Sequence, residues 1–142
     1  MSSEFWSKVG TNEEAVRQAT NLNWRSKGLN ADDGKAIACL ISSGSLDKLT
    51  WLGLWDNQIG DEGIKAFSSA LSSALATLTW LDLDSNQIGD EGMKAFSGAL
   101  SSGALGSLLE LEIGNNPASN SAKDTMKAVA SSRGISLSIW IE

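Results

Sequence analysis

Apolar residues recur along this chain at two spacings, which follow one another in a fixed order. The alternation Leu52-Gly-Leu54 places two aliphatic side chains on one face of a short strand. Further along, Phe67, Ala70 and Leu71 recur at a spacing of three and four residues, which is typical of a helix with one apolar face. The predicted unit of structure is therefore a strand followed by a helix.

This unit is repeated. Residues 51–73 and 80–102 are near-copies, because 18 of 23 residues are identical at a shift of 29 positions. More diverged copies cover about 22–50 and 110–134 at a shift of 30. One strand and one helix cannot bury an apolar face alone, so the units must stack. Stacking predicts an α/β solenoid of about four strand–helix units with a parallel sheet of roughly five strands.

The pattern divides the chain into a capping segment and an array of repeats. Residues 1–20 form the predicted cap of the array at 21–142, whose repeats are expected at 22–50, 51–79, 80–109 and 110–134, with a terminal strand at 135–141. Helices are predicted near 11–20, 32–43, 61–73, 90–102 and 120–132. Phe5 and Trp6 precede the first helix, and we expect them to cover the open end of the core. The alternative is that they dock another chain.

The segment from Leu52 to Gly63 reads Leu-x-Leu-x-x-Asn-x-Ile-Gly-Asp-Glu-Gly, and the pattern recurs from Leu81 to Gly92. It resembles the ribonuclease-inhibitor type of leucine-rich repeat, strongly over 51–102 and more weakly in the flanking repeats. The resemblance implies a right-handed, curved solenoid with parallel strands on its concave face and helices on its convex face. It also implies binding, most often of other proteins, without identifying the partner.

Two polar positions of the repeat carry structural predictions. Asn57, Asn86 and Asn116 follow successive strands, and their amides are expected to form a buried ladder with neighbouring backbone. Asp61 stands where a helix begins, and it is expected to cap that helix.

Alternate residues of each strand face the concave side if Leu52 and Leu54 point inward. Asn21, Asn23 and Arg25 occupy these positions in the first strand. The following strands place Trp residues and carboxylates there, and Trp is prominent among the residues that dominate protein interfaces. The predicted partner-binding residues are Trp51, Trp55, Trp80, Asp82, Asp84, Glu110, Glu112 and Trp140.

Charge indicates the kind of partner. The net charge of −6 argues against nucleic acid as a ligand. Residues 51–116 contain nine acids and two bases, whereas the rest of the chain contains eight acids and nine bases. Because Trp rings attract Arg and Lys, an acidic sheet that carries Trp favours a basic protein or peptide as its partner.

Three other functions stay open. The chain self-associates if the Trp residues stack between copies, or if strand 135–141 pairs edge to edge in a homodimer. Trp platforms beside carboxylates also bind sugar rings. A GTPase-activating role rests on family analogy alone.

Catalysis is not expected. The chain has no His, and its single Cys, Cys39, is expected to be a buried structural thiol. Carboxylate pairs such as Asp82 with Asp84, or Glu110 with Glu112, are suited to a hard cation but are usually only solvated, so neither a metal nor a cofactor is predicted. We find no signal peptide and no stretch long enough to span a membrane, and we expect a cytoplasmic protein.

Overall fold

Strands and helices alternate along the chain in the computed structural model, which describes residues 2–139. The described strands are β1 (Asn21–Asn23), β2 (Trp51–Gly53), β3 (Trp80–Asp82), β4 (Glu110–Glu112) and β5 (Ser136–Ser138). The described helices are α1 (Ser3–Val9), α2 (Glu13–Gln18), α3 (Ala31–Ser42), α4 (Gly60–Leu71), α5 (Asp90–Ser101) and α6 (Asn120–Arg133). The four helices from α3 to α6 match their predicted positions to within two residues.

All five strands form one parallel sheet in the order β1-β2-β3-β4-β5. Each strand pairs with the next strand of the chain, and a helix connects the two. The repeats keep their register, since Leu52 pairs with Leu81 and Leu81 with Leu111. The predicted solenoid of strand–helix units is therefore confirmed.

The core lies between the sheet and the row of helices. Leu52 and Leu54 are completely buried, as the alternation predicts. From the helix side, Phe67 and Phe96 occupy equivalent positions in consecutive repeats, and their ring centroids are 6.2 Å apart. Equivalent residues of neighbouring repeats thus contact each other, which explains why the repeat sequences are so similar at apolar positions.

The asparagine ladder is confirmed. The amide of Asn86 donates to the carbonyl oxygens of Leu54 and Leu83 at 2.9 and 3.2 Å. The Asn116 side-chain oxygen accepts from the backbone N–H of Asn86 at 2.8 Å. Each amide therefore bonds its own repeat and the preceding one, and so satisfies backbone groups that the turns leave without partners.

The capping role of Asp61 differs from the prediction. Its Oδ1 accepts from the backbone N–H groups of Gly89 and Gly92, at 2.7 and 3.0 Å, in the following repeat. Helix α4 itself begins at Gly60, and no side chain caps it. Because Asp61 lies within the first turn of its own helix, its carboxylate reaches the open N-terminus of the helix stacked beside it.

The N-terminal segment contains a helix that the apolar spacing did not reveal. α1 begins after Ser2, whose side chain accepts from the backbone N–H of Phe5, and ends at Gly10 in a left-handed conformation. Phe5 is completely buried, with its ring edge-on to Trp24 at a centroid distance of 5.7 Å. Phe5 is therefore part of the core and is not available to dock another chain.

Cys39 is exposed, so the prediction of a buried thiol is wrong. The inward face of α3 is set by Ile37, Leu40 and Ile41, and position 39 lies on the opposite side of the helix. None of the helices within residues 2–139 is long and apolar enough to cross a membrane.

Candidate binding surface on the concave sheet

The sheet face opposite the helices, here called the concave surface, is organised in three rows that cross the strands. The register places Asn21, Trp51, Trp80, Glu110 and Ser136 in the first row, and Asn23, Gly53, Asp82, Glu112 and Ser138 in the second. Arg25, Trp55, Asp84 and Gly114 follow two residues later and form the third. Aromatic side chains thus lie on β2 and at the first position of β3, and acidic side chains lie on the rest of β3 and on β4.

Two of the predicted Trp residues contact each other. The rings of Trp51 and Trp80 stack at a centroid distance of 4.5 Å and an interplanar angle of 5°. This is the side-by-side contact expected when equivalent residues of two parallel strands carry the same aromatic side chain. One face of each ring is consequently covered by the other ring.

Gly53 provides the space into which the neighbouring rings lean. A Cβ atom at this position would lie 2.6 Å from the Trp51 ring and 3.3 Å from the Trp55 ring. A side chain at position 53 would therefore require the Trp51 ring to move away and the Trp55 ring to shift slightly. The counterpart of Gly53 in the next repeat is Asp82, so on β3 the aromatic cluster includes Trp80 in the first row but is replaced by a carboxylate in the second.

Trp55 is covered by a cation of the preceding repeat. The guanidinium carbon of Arg25 lies 5.2 Å from the Trp55 ring centroid, a cation–π geometry. Arg25 was not among the predicted site residues. The sequence did indicate its position: Arg25 continues the alternation of Asn21 and Asn23 beyond β1, and this places it beside Trp55 when the strands pair in register.

Three carboxylates meet next to the aromatic cluster. Single oxygen atoms of Asp82, Asp84 and Glu112 all lie within 4.8 Å of one another. Asp82 is 6% exposed and accepts a hydrogen bond from the backbone N–H of Asp84 at 2.9 Å. Asp84 in turn accepts from the backbone N–H of Gly114. Backbone groups thus hold two of the three carboxylates in place.

This crowding changes the protonation of Asp82. Burial raises the pKa of the Asp82 carboxyl to about 7, and the charges of Asp84 and Glu112 contribute in the same direction. The hydrogen bond from the Asp84 backbone lowers the pKa, but it does not offset the burial. A positive group placed among these carboxylates would favour their ionised forms.

Glu110 and Trp140 are the remaining predicted residues. Glu110 is exposed at the first position of β4, one row from Asp82 and Glu112 and two rows from Asp84. Trp140 lies outside the described residues. The structure thus brings together Trp51 with Trp80, and Asp82 with Asp84 and Glu112.

The fold defines a class of protein: a solenoid of stacked strand–helix repeats with helices on one face of its parallel sheet. The profile of the family described as "Leucine Rich repeat" matches residues 48–68 and 74–97, which is less than half of the chain. The fold is that of a leucine-rich-repeat solenoid, and the matched segments overlap its two near-identical central repeats. The ribonuclease-inhibitor type in particular stays a prediction.

The fold also resembles solved structures. A structure of leiomodin-1 actin-binding site 2 matches with a TM-score of 0.75 at 16% identity, over 100% of this chain and 82% of that one. An internalin from Listeria monocytogenes matches over 70% of this chain and 38% of its own, at 20% identity and with a TM-score of 0.31. No curated protein matches the sequence significantly.

Proposed function

We propose that the protein binds a basic protein or peptide on the concave surface. The observation that supports this proposal is the convergence of Asp82, Asp84 and Glu112 beside the stacked rings of Trp51 and Trp80. Crowded carboxylates gain from a cation, and adjacent Trp rings add apolar area and attraction for positive charge. A partner that inserts Arg or Lys side chains satisfies both requirements.

The electrostatics of the site favour such a partner over a neutral one. The pKa of Asp82 is raised to about 7 because its charged form is poorly solvated and faces two other acids. A bound cation would stabilise the ionised form and lower that pKa. By linkage, we expect a cationic peptide to bind more tightly as the pH rises from 6 to 8.

The leucine-rich-repeat fold supports the general class, because such domains commonly mediate contacts between proteins. The leiomodin-1 structure is that of an actin-binding site, which agrees with a protein-binding role for the fold. At 16% identity this likeness indicates no partner for the present chain. We therefore define the partner by its charge alone.

Sugar binding is less favoured by the geometry. Sugar-binding platforms need open ring faces, whereas Trp51 and Trp80 cover each other and Arg25 covers one face of Trp55. The same arrangement reduces the ring area available for stacking between copies of the chain. For a GTPase-activating role, no residue among those the structure describes can be assigned.

The proposal is tested with labelled peptides and two double variants of equal net charge. Glu110→Gln/Glu112→Gln removes two carboxylates from the concave surface. Asp32→Asn/Asp124→Asn removes two from the helices, where the side chains are 91% and 71% exposed. Fluorescence anisotropy measures the affinity of Arg-containing and Lys-containing peptides for each protein.

We expect the concave variant to bind the basic peptides at least about threefold more weakly than the helix variant does. Equal affinities would mean that net charge alone attracts the peptides, and the concave surface would be excluded as the site. Circular dichroism and thermal unfolding of both variants confirm that the fold is retained.

A further inference from the structure

We propose that the concave surface selects arginine over lysine, and that Arg25 occupies the aromatic part of the site until a partner's guanidinium replaces it. This inference rests on the proposed function, because it concerns how the same surface recognises its basic ligand. Trp55 is the ring that binds the partner's guanidinium, and Arg25 competes with the partner for this ring.

The contact between Arg25 and Trp55 is the first observation. The guanidinium lies over the ring at 5.2 Å from its centroid, so the protein itself shows that this ring accepts a guanidinium. Within residues 2–139, no carboxylate lies within salt-bridge distance of Arg25. Arg25 is also exposed, and its side chain is therefore displaceable.

The position of the Trp55 ring is the second observation. A Cβ at residue 53 would lie 3.3 Å from this ring and 2.6 Å from the Trp51 ring, so glycine leaves room for both rings to lie over the strand. Gly53 pairs in register with Asp82 on the next strand. The ring that carries Arg25 thus stands at the border between the aromatic and acidic parts of the surface.

The order of residues in the third row is the third observation. Arg25, Trp55 and Asp84 lie on three successive repeats, and backbone hydrogen bonds join their segments: Ser26 N–H to Trp55 O at 3.1 Å and Asp56 N–H to Asp84 O at 3.0 Å. Adjacent repeats are spaced by about 4.8 Å at the sheet. The Trp55 position therefore lies one repeat spacing from Asp84, at the edge of the three carboxylates.

The chemistry of the two cationic side chains differs at such a border. A guanidinium is planar, so it stacks on an indole ring and still donates in its own plane to a carboxylate. An ammonium is a compact, strongly hydrated charge without a stacking face. A ring and a carboxylate in adjacent positions therefore favour arginine.

The test compares Arg25→Gln with Lys27→Gln, two variants that each remove one positive charge from the same loop region. Lys27 is exposed, and it bonds Asn57 through its backbone N–H rather than its side chain, so its side chain is a suitable control. Each protein is titrated with three short labelled peptides of one length, in which the variable residue is arginine, lysine or the neutral analogue citrulline.

We expect wild type to bind the arginine peptide about two- to fivefold more tightly than the lysine peptide, the ratio that corresponds to an exposed cation–π contact. Arg25→Gln should tighten binding of the arginine peptide by a similar factor beyond Lys27→Gln, with no such difference for the lysine peptide. Trp55→Leu should remove the preference for arginine while retaining binding of both basic peptides.

The outcomes separate this inference from the proposed function. Equal affinities for arginine and lysine peptides, or equal effects of Arg25→Gln and Lys27→Gln, would overturn the arginine site while leaving a basic-peptide surface intact. If the citrulline peptide bound as tightly as the arginine peptide, the positive charge would not be what the surface recognises, and the inference would be overturned. If no basic peptide binds in a way that depends on Glu110 and Glu112, the proposed function and this inference both fail.

Discussion

The carboxylate of Asp61, in the first turn of α4, accepts a hydrogen bond from the backbone N–H of Gly92, in the first turn of α5, at 3.0 Å. The same oxygen accepts from Gly89 at 2.7 Å. One repeat therefore caps the helix of the next, and Asp90 continues the arrangement by accepting from the backbone N–H of Ser119 at 2.6 Å. The contact stabilises the stacking of repeats as well as the helix end.

Replacing Asp61 with Ala should lower the free energy of unfolding by about 1 kcal/mol, because two backbone N–H groups at the start of α5, those of Gly89 and Gly92, lose their acceptor. Glu62→Ala is the control, since the described contact of the Glu62 side chain is an exposed ion pair with Lys65 at 3.2 Å. Chemical denaturation of both variants checks the prediction. Equal stabilities would contradict capping between repeats.

Gly92 and Gly98 lie in the same helix and should respond to Ala in opposite directions. A Cβ at residue 92 would lie 2.5 Å from a methyl carbon of Ile64 and 2.6 Å from the Asp61 carboxylate, whereas nothing lies within 4 Å of one at residue 98. We expect Gly92→Ala to destabilise by about 1–3 kcal/mol through overpacking. Gly98→Ala should stabilise by about 0.5–1 kcal/mol, because Ala is the better helix former. Thermal unfolding that showed the same sign for both would contradict this account.

Asn86→Leu should destabilise the protein by roughly 1–3 kcal/mol, because it leaves buried carbonyl groups without a donor. Gln58→Leu provides the control, since Gln58 lies in an exposed turn of the preceding repeat. Urea titration measures both. Unchanged stability of the Asn86 variant would mean that the amide ladder is not needed for the turns.

Asp82 should make stability depend on pH. Burial raises its pKa from 3.8 to about 7, so between these values the folded state holds a proton that the unfolded chain releases. Stability therefore falls as the pH rises from about 4 to about 7, by an amount on the order of a few kcal/mol. Above the folded pKa this contribution becomes constant.

Asp82→Asn should remove this part of the pH dependence, because the amide keeps an oxygen acceptor for the Asp84 backbone and cannot ionise. Asp32→Asn, which changes a 91% exposed side chain, should leave it in place. The measurement is the unfolding free energy at several pH values between 4 and 8. Parallel curves for wild type and Asp82→Asn would show that Asp82 titrates normally.

Pairing of two chains through β5 stays a prediction. Ser136 donates its backbone N–H to Leu109 on the β4 side, so the N–H of Leu137 points toward the outer edge of the sheet. Leu137→Pro removes that donor, whereas Leu137→Ala shortens the side chain and keeps it. We expect sedimentation to show a dimer for wild type and the Ala variant, and a monomer for the Pro variant. Wild type that sediments as a 15.0 kDa monomer at the highest concentration used would exclude edge pairing.

The sequence by itself determined the repeat, its length and the inward face of each strand. Leu52 and Leu54 are buried, and Asn86 and Asn116 form the ladder, because these roles follow from period, side-chain chemistry and the near-identity of two repeats. Helix α1 was missed although Ser2 and Gly10 mark its ends, since it is too short to show an apolar period.

Only the tertiary structure decided which atoms of neighbouring repeats meet. A single repeat does not encode the distance to the next one, and contacts of 3–5 Å depend on that stacking. This is why Asp61 caps the following helix rather than its own, and why Arg25 covers Trp55. The same stacking places two further acids beside a buried Asp82 and so raises its pKa, because desolvation and repulsion depend on the summed surroundings of a group rather than on its local sequence.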